Sequence, residues 1–184
     1  MNRIAVAALI LLASCASRLD LPFYGLVPEF HLTDQSGRPF ASAQHLKNKV
    51  WVANFIFTNC AGPCPRMSAQ MRDLKKTLAE HDDLRFVSFT IDPARDTPEV
   101  LARYGKRFSA DPQRWYLLTG PLTQLHELSR NVFKLGNVDG QLEHSTRFVL
   151  MDRRGRIRGF YDSADPEKMR QLAGDIQLAL RSTA

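Results

Sequence analysis

Asn54-Phe55-Ile56-Phe57-Thr58-Asn59-Cys60-Ala61-Gly62-Pro63-Cys64-Pro65-Arg66-Met67 is the stretch on which the reading of this chain turns. An apolar strand runs straight into a helix, with two cysteines at the join. Cys60 and Cys64 stand four residues apart, one more than the C-x-x-C spacing of a thioredoxin. Thiols so placed can form a reversible disulfide, clamp a soft metal ion, or make a structural disulfide in an exported protein. Gly62 and Pro63 make the turn, and Pro65 suits a first helical turn, where no amide donor is needed. A residue before proline avoids the α region, so Cys64 is expected as the cap and Pro65 as the first helical residue. The free N–H groups and dipole of that helix would then favour the thiolate form.

The stretch continues upstream as Val50–Phe57, an unbroken apolar run typical of a central strand covered on both faces. Leu84–Ile91 reads as a second such strand, ending at Asp92-Pro93, and Arg114–Thr119 as a third. Glu29–Thr33, the turn Asp34–Gly37 and Arg38–Phe40 form an opening hairpin. Met67, Met71, Leu74 and Leu78 make the buried stripe of the helix after the cysteines, the two methionines serving as core. Thr97-Pro98-Glu99 caps a helix running to about Phe108, and Pro121 opens another with Leu122, Leu125 and Leu128 turned inward. Ser145–Met151, the turn Asp152–Gly155 and Arg156–Tyr161 form a second hairpin, and Asp165-Pro166-Glu167 starts the last helix. The alternation gives an α/β fold, a central mixed β-sheet flanked by helices with an N-terminal β-hairpin. Redox cysteines after the first long central strand make that order resemble the thioredoxin fold.

The chain has 184 residues, enough for one domain with a proper core, and its 44% hydrophobic and 24% charged composition is that of a globular protein. The formal charge of +6 is spread among interspersed acids, and no aromatic-basic motif accompanies it, so nucleic acid is not an expected partner. At the amino terminus, Arg3 followed by Ile4–Leu12 has the form of a signal peptide too short to span a bilayer. It ends in Leu12-Ala13-Ser14-Cys15, which resembles the bacterial lipobox. Residues 1–14 are therefore expected to be removed, Cys15 to carry lipid, residues 15–27 to act as a tether, and residues 28–184 to form the domain. The product would be exported and lipid-anchored to a bacterial membrane, facing the periplasm or the cell exterior.

Five histidines could complete a metal site with the two thiols. His31 and His45 lie in or beside the first hairpin, His81 closes the cysteine helix, and His126 sits on the exposed part of an amphipathic helix. His144 stands in Gln141-Leu142-Glu143-His144-Ser145-Thr146, a loop entering a strand, the kind of segment that carries function in α/β folds. Two thiolates and an imidazole suit copper in either oxidation state. A closed zinc site lacks an H-x-x-x-H pair, and a catalytic one lacks an evident general base. Thr58 six residues before Cys64 loosely resembles a peroxiredoxin site, which would also need an activating arginine.

Four segments in order resemble the Sco/SenC family of copper-binding assembly proteins: Phe55–Pro65, Thr90–Leu101, Trp115–Gly120 and His144–Asp152. The resemblance covers about residues 28–182. It implies a thioredoxin-like domain that binds copper, as Cu(I), Cu(II) or both, through Cys60, Cys64 and His144. It further implies service to the copper-site subunit of cytochrome c oxidase, by copper delivery, by reduction of that site's cysteines, or by both. A thiol reductant or another copper chaperone would be a further partner. Two departures stand out: a lipid is expected where many members carry a transmembrane anchor, and Ala61-Gly62-Pro63 lacks the acid that many relatives carry between the cysteines. The competing account is a thiol-disulfide oxidoreductase or redox sensor that uses only Cys60 and Cys64 as a redox-active pair.

Overall fold

The computed structural model describes residues 21–135 and 145–182. In chain order its elements are β1 (Gly25–Leu26), β2 (His31–Asp34), β3 (Pro39–Ala41), α1 (Ser42–His45), β4 (Val50–Ile56), α2 (Pro63–Thr77) and β5 (Leu84–Thr90). They continue with α3 (Pro98–Arg107), β6 (Trp115–Thr119), α4 (Leu122–Glu127), β7 (Arg147–Met151), β8 (Arg156–Asp162) and α5 (Pro166–Arg181). Among the described residues the strands form one sheet in the order β1-β8-β7-β4-β5-β6-β2-β3. The parallel trio β4, β5 and β6 is its centre, and antiparallel strands flank it on both sides.

All seven residues of β4 are buried because both faces are covered, as its continuous apolar run requires. Alternation divides them. Val50, Val52 and Ile56 point to a core shared with Met67 and Met71 of α2, Leu101 of α3, and Leu172 and Ile176 of α5. Trp51, Ala53 and Phe55 point to the other core, under the β2–β3 hairpin and α4. That second core is aromatic: Phe55 stacks on Phe89 with centroids 4.9 Å apart, and Phe133 meets both rings at 5.5 Å. Asn54, on the α2 side, is buried without an apolar side chain. Ser88 donates to its Oδ1 at 2.7 Å, and the Trp115 indole donates to Ser88 at 3.0 Å, so the carbonyl side of this polar insertion is paired, while Asn54 Nδ2 is buried without a partner among the described residues.

Several local expectations change. Helix α2 begins at Pro63 with Gly62 as cap, so Cys64 lies inside the first turn and is not the cap. The first helical N–H groups have no intrahelical acceptor, so Pro63 and Pro65 both fit there without losing a bond. Pro121 is the cap of α4 and Leu122 is exposed, because α4 is short and presents Leu125 to the core. The chain then widens into one turn in which the Phe133 N–H donates to Leu128 O, five residues back. His126 is half-buried, its Nε2 fully so, where an exposed position was expected. Arg114 precedes β6, and its guanidinium donates to the carbonyls of Leu78, Ala79 and His81, satisfying the chain just past the C-terminus of α2. Within the stretch expected as a tether, Gly25–Leu26 pairs with Ile157 and Arg156 of β8, and Leu21 packs against the α2-side core.

Candidate metal centre

Strand β4 ends at Ile56, whose carbonyl accepts the Ile91 N–H at 2.9 Å, and the chain then has six residues to reach α2. A buried carboxylate shapes that passage. Asp96 has no solvent exposure, and its oxygens accept the Thr58 N–H at 3.1 Å, the Thr58 hydroxyl at 2.5 Å and the Thr90 hydroxyl at 2.6 Å. The loop leaving β4 is thereby tied to the end of β5 and to the turn before α3. The Thr58 hydroxyl is committed to this carboxylate, which removes the contact that the peroxiredoxin comparison would need.

Cys60 and Cys64 are both free and both buried, 9% and 2% exposed, at the end of the sheet where β4 and β5 terminate. Both side chains belong to the α2-side core. Burial, first, and the neighbouring Cys60 thiol push the Cys64 thiol up from 9.0 to about 12, against lowering backbone hydrogen bonds at Phe57 and Cys64 itself. The thiolate form expected at the helix start is therefore not favoured at Cys64, where desolvation outweighs the lowering backbone hydrogen bonds. One turn further along α2, Ser68 and the Tyr104 hydroxyl share a 2.8 Å hydrogen bond. Burial lifts Tyr104 to about 12, and nearby thiolate charge at Cys64 and Cys60 would add to that rise. A buried tyrosine thus shares the core with the pair, while Ala61 and Gly62 between the cysteines are exposed.

Among the described residues no third histidine, cysteine or carboxylate joins the two sulfurs in a metal-sized group. His144 and Cys15 lie outside the described residues. Strand β7 runs antiparallel to β4, with Ala53 opposite Val149, so it starts at the end of the sheet where the thiols sit. Ser163 N–H donates to Thr146 O at 2.8 Å, and Gln70 of α2 donates to Ser163 O at 2.9 Å. The cysteine helix therefore braces the chain two residues after His144. Asp96 and Gln70 escaped the sequence reading. Thr58 and Thr90 near the ends of neighbouring parallel strands were the available signal for a shared acceptor, whereas nothing local marks Gln70.

The SCO1/SenC family model matches residues 22–181. The chain belongs to the SCO1/SenC family. A SCO1/SenC family lipoprotein from Bacillus anthracis has a crystal structure 35% identical to it, with TM-score 0.74, covering 88% of this chain and 96% of that one. BsSco, a member of the Sco family of cytochrome c oxidase assembly proteins in which a disulfide switch has been identified, matches at 31% identity and TM-score 0.75, covering 89% and 98%. Yeast Sco1 with copper bound matches at 27% and TM-score 0.63, covering 83% and 92%. The fold is the thioredoxin-like one of these proteins.

Proposed function

We propose that this chain takes up copper on Cys60 and Cys64, with His144 as third ligand, and serves assembly of the binuclear copper centre of cytochrome c oxidase. The observation that carries the reading is the pair of free, buried thiols where β4 gives way to α2. It is supported by family members that bind copper or assemble the oxidase. Sulfur is a soft donor that suits Cu(I), and a nitrogen donor in addition suits Cu(II). Copper here is cargo. Cys64 holds its proton at neutral pH, so loading must displace that proton and unloading can return it, which couples release to proton supply.

The same pair supports dithiol chemistry. Transfer of two electrons and two protons from Cys60 and Cys64 to a partner disulfide would leave a Cys60–Cys64 disulfide and two partner thiols. An oxidised pair cannot ligate copper as thiolates, so the two activities exclude each other on one molecule at one time. The mature chain, anchored by lipid on Cys15 and facing the periplasm or cell exterior, would meet the oxidase subunit at the membrane. No helix among the described residues is long and apolar enough to cross a bilayer.

Anaerobic titration of the reduced chain with Cu(I) tests the proposal. One ion per chain is expected, lost in Cys60→Ser and Cys64→Ser; unchanged binding in both variants would refute it.

A further inference from the structure

The segment entering the domain carries Phe23, Tyr24 and Leu26, which are 61%, 47% and 63% exposed. Three large apolar side chains in four residues would be unremarkable on a loose tail, but this segment is held in place. Tyr24 N–H donates to Ile157 O at 3.0 Å, Gly25 and Leu26 pair with β8, and Val27 N–H donates to Gly155 O at 2.9 Å. Arg158 donates to Leu21 O just before it, and the Tyr24 ring meets Phe160 edge-on at 5.3 Å. The result is an apolar ridge on the β8 edge of the sheet, fixed by the backbone and unused by either core.

We infer that this ridge docks on the surface of the membrane that holds the anchor, seating Phe23, Tyr24 and Leu26 at the headgroup level. The inference rests on acylation of Cys15, proposed above. Phe23 follows Cys15 by eight residues, which span at most about 27 Å when fully extended. The ridge therefore never leaves the neighbourhood of the bilayer and meets it at high effective concentration. Aromatic side chains with a polar tip favour that depth, and a second membrane contact beside the lipid gives the domain a defined orientation. Charge agrees. At the end of the segment, Val27 and Pro28 share a cleft with the exposed cations Lys47 and Arg154, alongside one acid, Glu29. Exposed cations beside an apolar ridge complement anionic headgroups.

The test uses the mature acylated chain in vesicles of phosphatidylethanolamine and phosphatidylglycerol, with and without brominated acyl chains. Tryptophan is placed by Phe23→Trp, by Leu26→Trp, and by Ser36→Trp on the exposed turn at the opposite edge of the sheet. Trp51 and Trp115 are 2% and 1% exposed and supply a constant background. Docking predicts a blue shift on vesicle binding and loss of emission in brominated vesicles at positions 23 and 26, with neither at 36. Emission at 23 and 26 that responds no more than at 36 overturns docking. So does a concentration-dependent dimer abolished by Phe23→Ser, which would assign the ridge to a second copy. The intact mass of the mature amino terminus judges the anchor separately. An unacylated residue 15 refutes the anchor, while the quenching contrast on added vesicles still decides the ridge.

Discussion

Two buried groups set the behaviour of the site residue by residue. Asp96 gathers the Thr58 N–H and the Thr58 and Thr90 hydroxyls at the ends of β4 and β5. Asp96→Ala strands these donors in a dry pocket and is expected to cost about 3 kcal/mol, read from urea unfolding of the reduced chain. Arg95→Ala, which removes the partner of Asp92 from an arginine 74% exposed, should cost under about 0.5 kcal/mol in the same assay. Cys64 is the second group. Its folded pKa lies above the unfolded value, so the folded state holds the proton more tightly. The stability tied to that proton is full below 9.0 and is lost as pH rises towards about 12. Below that window Cu(I) loading must expel the proton. Binding enthalpies measured in buffers of different ionisation enthalpy should therefore show at least one proton released per ion, and no binding heat in Cys64→Ser.

Elements place these residues, and helix α2 does so at both of its ends. Its first turn holds Cys64, and the segment just past its last turn is tied down by Arg114. Gln70, midway, braces Ser163 and through it Thr146, two residues after His144 in the chain. Gln70→Ala is expected to cost about 1 kcal/mol and to weaken Cu(II) binding more than Cu(I) binding, checked by parallel titrations. Most of this scaffold is legible in sequence. Strands β4 and β5 announce themselves as long apolar runs, and Thr97-Pro98 and Asp165-Pro166 mark helix starts that the structure bears out. The register of Cys64 in α2 is not legible, because the rule against helical residues before proline yields where the first turn tolerates two prolines. The direction of Leu122 is lost for a similar reason, since periodicity cannot tell that α4 stops after six residues. Asp96 reads as turn chemistry because its partners lie 38 residues upstream in Thr58 as well as nearby in Thr90.

At the scale of the whole molecule, both cores form with the two cysteines free, and the fold is expected to stand without a disulfide. Closing Cys60 to Cys64 restrains a very short loop, worth about 2 kcal/mol. Reduction should therefore lower the unfolding midpoint modestly and leave the domain folded by circular dichroism, whereas a structural disulfide would unfold it. The architecture converges on one end of the sheet. There β4 releases the thiols, Asp96 steadies their loop, and β7 begins three residues after His144. The central claim is that this end is a copper site of two sulfurs and one imidazole, and Cu(II) titration of the reduced wild type beside His144→Ala tests it most directly. The account predicts a sulfur-to-copper(II) charge-transfer band that shifts or fades in the variant, with weakened Cu(II) affinity, while Cu(I) binding and disulfide exchange persist. Equal Cu(II) affinity and an identical band in the two proteins would contradict it and leave the dithiol enzyme as the better description.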